Sequence, residues 1–325
     1  MRLKLVPETT SLDFFKFQKL TLGLSALLIL VSVLAFAVQG LNFGIDFRGG
    51  TMLTAATEKE PDVGLIRDAL TDLDVGDTSV TRIYDPAAEL TGAVPNQVAI
   101  RIEAKTDDAE VQQNIVSTIE AALIEDFPGI RFLQVDSVGA KVSGELVEKG
   151  ILAIVLAIAA VLFYIWLLFE WQFSVGAVAA LVHDIILTIG VFSIVLLQFN
   201  LSIIAAILTI VGYSLNDTVV VFDRVRENLR RYKQMNLQEV LNLSINETLS
   251  RTVMTSVTTL IALISLYILG GDVIRGFVFA IFWGVIVGTY SSIYVAKNVV
   301  LMIGVKRDWS KPDNKSGTQF SNIDA

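Results

Sequence analysis

The sequence predicts an α-helical membrane protein with six transmembrane helices plus one α+β, ferredoxin-like extracytoplasmic domain. Three observations predict it. Six apolar runs are long enough to cross a bilayer, which takes roughly 17–25 residues each. The segment between the first two runs concentrates the acidic charge. That same segment alternates strand and helix patterns in the order β-α-β-β-α-β.

The chain is 53% hydrophobic yet 18% charged, a mixture that fits a membrane protein with a sizeable soluble part. The charge is unevenly placed: residues 39–149 carry 9 Lys/Arg against 20 Asp/Glu, a net of −11, and the rest of the chain is +3. The acidic segment therefore argues against a nucleic-acid partner. There is no cysteine and only one histidine. Disulfides, thiolate metal sites, cysteine catalysis and multi-histidine metal sites are thereby excluded. No metal and no cofactor is expected.

The six spans fall at about Leu20–Val38, Ile151–Phe169, Ser174–Leu197, Leu201–Phe222, Thr252–Leu269 and Gly276–Ile303, with Lys297 expected to mark the exit of the last. Basic flanks set the orientation. Arg2, Lys4, Lys16 and Lys19 precede the first span, Arg224, Arg226, Arg230, Arg231 and Lys233 follow the fourth, and Lys306, Arg307, Lys311 and Lys315 follow the sixth. All fall on one side, so both termini are expected in the cytoplasm. The layout is a cytoplasmic N-terminus (1–19), a first span (20–38), an extracytoplasmic domain (39–149), five further spans (150–303) with a cytoplasmic loop at 223–250, and a cytoplasmic tail (304–325). Ala35-Phe36-Ala37 resembles a cleavage site, but the apolar run before it is longer than a signal peptide's, which favours an uncleaved anchor.

In the acidic segment, strands are expected at Thr51–Thr57, Thr78–Asp85, Asn96–Ala104 and Ile130–Val138. A helix over Pro61–Leu73 has Val63, Ile66 and Leu70 at helical spacing, and one over Asp107–Asp126 has the stripe Val111, Ile115, Ile119 and Leu123. The cytoplasmic loop is expected to be helical from Leu237 to Leu249, and the tail after Asp308 disordered.

Few ionisable residues lie within or at the edge of the spans. They are His183 and Asp184 in the third, Asp217 in the fourth and Arg251 at the start of the fifth. Such residues are costly in a bilayer and face a bundle interior, a water cavity or a partner charge. Asp217 sits in the cytoplasmic half of its span, about 9 Å of helix rise from Asp223. Arg251 enters from the same side. A carboxylate beside a mobile arginine can take up and release a proton, because desolvation favours the acid and the guanidinium favours the anion. A static ion pair is the plainer alternative. Thr255, one turn after Arg251, offers a hydroxyl to that carboxylate or to water, and Asn216 is placed to orient its neighbour or tie two helices. Gly176, Ala180, Asp184 and Thr188 share a row that would let another helix approach Asp184. His183 serves either as a polar tie between helices or as a protonation site. In the sixth span Gly276, Ala280, Gly284, Gly288 and Ser292 recur every four residues, a small-residue stripe for close helix packing. No phosphate loop, zinc-protease motif or catalytic triad is visible, so no catalytic residue is expected.

Four motifs taken together resemble one family. They are "GIDFRGGT" (Gly44–Thr51), "HD" in the third span, "VGYSLNDTVVVFDRVREN" (Val211–Asn228) and "LSRTVMTSVTTL" (Leu249–Leu260). They resemble the SecD/SecF family, the membrane subunits of the SecD–SecF accessory complex of the bacterial Sec translocase, within the resistance-nodulation-division superfamily. The resemblance is to a single six-span unit with its domain. It implies a protein of the bacterial inner membrane that pairs with SecD, acts with SecYEG, associates with YajC and YidC, and handles a translocating unfolded preprotein in contact with membrane lipid. It implies protons as the coupling ion, with Asp217 and Arg251 on the proton path. In the first motif Gly49 and Gly50 permit a sharp bend, and Asp46 and Arg48 are placed to pair across a tight link, which makes these four residues candidates for coupling the domain to the spans. Two other readings compete: a half-sized proton-driven small-molecule exporter, and an intramembrane aspartyl protease using Asp184 and Asp217. The Ser-Leu-Asn-Asp at 214–217 is not the Gly-x-Gly-Asp of that protease class.

Overall fold

The computed structural model describes residues 10–71, 73, 75–83, 96–103 and 109–305. Arg2, Lys4, Tyr84, Asp85, Ala104, Asp107, Asp108, Lys306, Arg307, Lys311, Lys315 and the tail after Asp308 lie outside the described residues.

Six helices are long and apolar enough to cross a membrane. They are α1 (Gln18–Gln39), α5 (Ala140–Leu168), α6 (Trp171–Val195), α7 (Leu201–Arg231), α8 (Leu237–Leu269) and α9 (Asp272–Ile303). Helices are what an apolar run must form in hydrocarbon, because each backbone donor has to find its acceptor inside the segment. Helices α6 and α7 are the most enclosed, whereas α1, α5 and the apolar half of α8 turn most of their surface outward. On α1 the polarity is inside out. Its leucines face outward, and Ser25 and Ser32 are the buried residues. Gly190 explains this contact: a Cβ there would lie 2.1 Å from the Ser32 hydroxyl, so glycine lets α1 and α6 touch.

The helix expected from Leu237 is present, but the loop before it is shorter than expected. Helix α7 runs on to Arg231 and α8 begins at Leu237, leaving only residues 232–236 as the turn. Asn236 and Glu239 form a capping box that starts α8 (Glu239 N to Asn236 Oδ1, 2.8 Å). The two helices are joined beyond the apolar zone by Arg224 to Glu247 (2.7 Å) and Asn228 to Ser244 (3.0 Å). Charged residues leave a bilayer without leaving the helix when an antiparallel neighbour pairs with them.

Lys297, expected to mark the exit of the last span, lies inside α9 and inside the fold. It is fully buried, and its Nζ donates to the Phe14 carbonyl (2.7 Å) over the ring of Phe15 (4.1 Å to the centroid). The chain before α1 folds back as a strap along α8. Asn246 Oδ1 accepts from Leu12 N (2.8 Å) and Asn242 Oδ1 from Phe14 N (2.9 Å). The strap's carbonyl and rings replace the water an ammonium needs. A contact between positions nearly three hundred residues apart leaves no local trace in sequence.

Between α1 and α5 the chain forms an α/β unit. It opens with β1 (Asn42–Phe43) and a single turn, α2 (Ile45–Arg48). Strands β2 (Gly50–Ala56), β3 (Thr78–Ile83), β4 (Gln97–Ile102) and β5 (Arg131–Val138) then form an antiparallel sheet in the order β3-β4-β2-β5. Helices α3 (Val63–Thr71) and α4 (Ala109–Asp126) cover one face. Leu53, Val98 and Ile100 from the strands meet Ile66, Leu70, Ile119 and Leu123 from the helices, all buried, each worth about 1.5–3 kcal/mol of burial. The predicted helix stripe is right except at Val111, which is exposed in the first turn of α4. A final strand, β6 (Gln198–Phe199), joins α6 to α7 and pairs parallel with β1.

Candidate functional site

Small residues bring three helices together at Asp184. A Cβ on Gly176 of α6 would lie 2.7 Å from Val300, Ala180 and Thr188 are fully buried, and a Cβ on Gly288 of α9 would lie 3.1 Å from Ser214 of α7. The row predicted on α6 does admit another helix, and that helix is α9. At this depth Asp184 Oδ2 accepts from Ser214 Oγ (2.6 Å) and Ser291 Oγ (2.8 Å), while Oδ1 meets His183 Nδ1 (3.0 Å). Thr188 donates to the Asp184 carbonyl (2.8 Å). His183 stacks on Tyr290, whose hydroxyl donates to the Thr21 carbonyl of α1 (2.8 Å). One carboxylate thus ties α6, α7 and α9 together, and its histidine extends the contact to α1. His183 Nε2 is buried without a hydrogen-bond partner.

Asp217 lies one turn beyond Ser214 on α7, so both point inward. It is buried too, yet its Oδ2 has no hydrogen-bond partner. Arg251 on α8 is near enough to act on it electrostatically, but the two form no ion pair and Arg251 is exposed. The static pair is therefore absent from this arrangement. Thr252 contributes a second buried, unpartnered oxygen, Oγ1. Thr255 does not reach Asp217. Its hydroxyl donates to the Thr252 carbonyl of its own helix (2.9 Å), as threonines in apolar surroundings do. Asn216 faces outward, about 100° round α7 from the buried Asp217, and makes no hydrogen bond to it among the described residues. A partly occupied polar row continues beside Asp217, with Tyr213 to Ser256 (3.4 Å) and Ser256 to Thr289 (2.7 Å).

An unpaired carboxylate is expensive inside a protein, and its cost falls if it is protonated or reached by a cation. Of the two acids, Asp217 is the one left with an unpartnered oxygen. Asp184 is held by three side chains, and no hydrogen bond joins it to Asp217 among the described residues. The shared-proton dyad of an aspartyl protease is not formed. Nor do the described residues hold a group of three or more His, Cys, Asp or Glu side chains that would bind a metal.

The small-residue stripe on α9 packs within the chain. A Cβ at Gly284 would lie 2.3 Å from Ile210, Gly276 faces Ile203 at 3.7 Å, and Ala280 and Ser292 are fully buried. The predicted joint is also tight, though not in the predicted way. Gly49 and Gly50 have φ of 73° and 125°, and a Cβ on Gly49 would sit 3.0 Å from the Ala140 backbone, so the bend needs glycine. Asp46 and Arg48 do not pair. Asp46 Oδ2 instead accepts from Leu201 N (2.8 Å), capping the first turn of α7, where the helix dipole favours an anion. The β1–β6 pairing and the cluster of Phe43, Phe47 and Phe199 complete the joint.

The sequence reading missed Ser214 and Ser291. Ser214 stands three residues before Asp217, and Ser291 three after Gly288, so helical spacing gave a signal. Serine is too common in such helices for that signal to single them out.

A family described as protein export membrane protein SecD/SecF, C-terminal, matches residues 118–306. A second, the SecD/SecF GG motif, matches residues 34–60. The protein translocase subunit SecF of Cereibacter sphaeroides is 53% identical over 324 residues, covering 100% of this chain and 99% of its own. That of Rhodobacter capsulatus is 51% identical, covering 99% and 97%. Among solved structures, SecDF from Thermus thermophilus, a translocon-associated membrane protein, matches with a TM-score of 0.81 and 32% identity over 93% of this chain. SecDF in its super-membrane-facing form matches the same share at 0.66. This chain spans 39% and 40% of those two longer chains.

Proposed function

We propose, because this chain belongs to the SecD/SecF family of protein export membrane proteins, that it is a membrane subunit of the Sec export machinery which uses the proton motive force, together with SecD, to help complete preprotein translocation across the inner membrane. One observation carries the proton coupling: Asp217 is buried with an unpartnered carboxylate oxygen, in the field of an arginine that is not paired with it. Protonation makes such a group cheap to bury, and deprotonation makes Arg251 its natural partner. Alternation between the two states shifts α8 relative to α7. One charge crossing the membrane supplies about 2.3 kcal/mol per 100 mV for that movement.

The α/β unit reads as a ferredoxin-like domain on the extracytoplasmic side, with both termini in the cytoplasm, as the basic flanks require. Its strand order and covering helices support that reading. Movement of the spans would reach the domain through the glycine joint and the Asp46 cap on α7, the helix that carries Asp217. SecD is the expected partner on the outward face of α7, where Asn216, Thr209 and Gly212 give a surface poorly suited to lipid. SecYEG, YajC and YidC are further expected associates, the passing polypeptide is the substrate, and protons are the coupling ion. No catalytic residue takes part.

The test is reconstitution of the complete complex in vesicles with an imposed proton gradient. Asp217→Asn and Arg251→Met are expected to insert and assemble normally but to lose gradient-dependent late export. Wild-type export by both variants would overturn the proton role. Gradient-driven efflux of small molecules by this chain alone would favour the exporter reading instead.

A further inference from the structure

On the side of the bundle that bears the α/β unit, a cavity of about 540 Å³ opens between α1, α5, α6 and α7. Phe36, Phe43, Phe47, Ile151, Ile154 and Ile204 are among its walls, and Ser32 is its one hydroxyl side chain. It is open sideways, because Phe36 and Ile151 at its rim remain 47% and 60% exposed. On α5 it extends from Val147 to Ile154, about 10 Å of helix rise. That depth is about two thirds of one leaflet's hydrocarbon, taking the core as roughly 30 Å thick.

Two arginines lie next to the part of the wall made by Phe43 and Phe47. Arg101 projects from the open face of β4, away from the helices, and its Nη1 donates to the Phe43 carbonyl (2.6 Å). Phe43 lines the groove, and so does Phe47, the residue before Arg48. Burial and the nearby Arg48 both hold the Arg101 guanidinium below its ordinary pKa, so two cations crowd one place. Asp46 accepts from Leu201 N and Glu103 acts on Arg101 only at a distance, so neither arginine has a direct ion-pair partner among the described residues. Two such cations beside an apolar slot are complementary to a molecule with an anionic head and an apolar tail.

We propose that this crease binds an anionic phospholipid, with one acyl chain in the groove and the phosphate on Arg48 and Arg101. A lipid there would wedge between α1 and α5 and lie against both the β1–β6 joint and the sheet. It would brace the link through which the domain follows the spans. The proposal rests on the membrane-spanning reading of the six helices, and not on the proton role of Asp217.

The test is native mass spectrometry of the full-length chain released from nanodiscs holding equal phosphatidylglycerol and phosphatidylcholine. Wild-type protein is expected to retain phosphatidylglycerol preferentially, by about fivefold for each arginine engaged. Arg48→Gln, at an exposed position, is expected to reduce that preference about fivefold. Ile151→Trp, which fills the groove from its rim, is expected to remove retention of either lipid. Equal retention of the two lipids by wild type, or retention unchanged by both substitutions, would overturn the proposal. These readouts do not involve export, so their failure would leave the export function standing.

Discussion

Asp184 and Asp217 are both buried acids in adjacent helices, about one helical turn apart in depth, and the chain treats them in opposite ways. Two serines and a histidine engage the first. The second has a bare oxygen, an arginine that stays away and an outward-facing asparagine beside it. The difference separates structure from function more sharply than burial does. A fully satisfied carboxylate has little to gain from any rearrangement, whereas an unsatisfied one gains from protonation or from the approach of a cation.

The contrast can be broken at either end. The largest effect is expected from Asp184→Ala, which strips three partners in one step. It should destabilise the bundle by about 3 kcal/mol, read as loss of thermal stability in detergent. An unchanged melting temperature would remove the structural role assigned to Asp184. Asp217→Asn should leave that stability intact but lower gradient-driven export tenfold or more, equivalent to about 1.4 kcal/mol. A large fall in stability there would mean Asp217 is also a tie. Ser291→Ala removes one bond to Asp184 and should cost about 0.6–1.7 kcal/mol, with Ser214→Ala similar in the same assay. Asn216→Ala should change the stability of the isolated chain by less than about 0.5 kcal/mol. Any loss should show only in assembly with SecD, by co-purification. A large change in the isolated chain would contradict its outward placement.

Much of the fold was legible before any coordinates. The six spans and the strand and helix order of the α/β unit follow from apolar run length and alternation, both of which are local. The small-residue stripe on α9 was equally legible as a packing face, since its four-residue repeat lies on one side of a helix. Which helix it would meet was not, and the answer (Ile203, Ile210 and Ser214 of α7) is a matter of assembly. Asp46 shows the same limit. Its neighbour Arg48 looks like its partner in sequence, but its acceptor oxygen goes to Leu201 N, 155 residues away.

The sequence by itself determined that there are six spans, which few residues within them can carry charge, and which family they belong to, because length, hydropathy and motif are properties of the chain alone. Only the tertiary structure decided which acid is tied and which is free, why Lys297 stays inside under the N-terminal strap, and where two arginines meet beside an apolar groove. Hydrogen-bond satisfaction depends on atoms from several distant segments converging at one depth, and no single segment encodes that meeting.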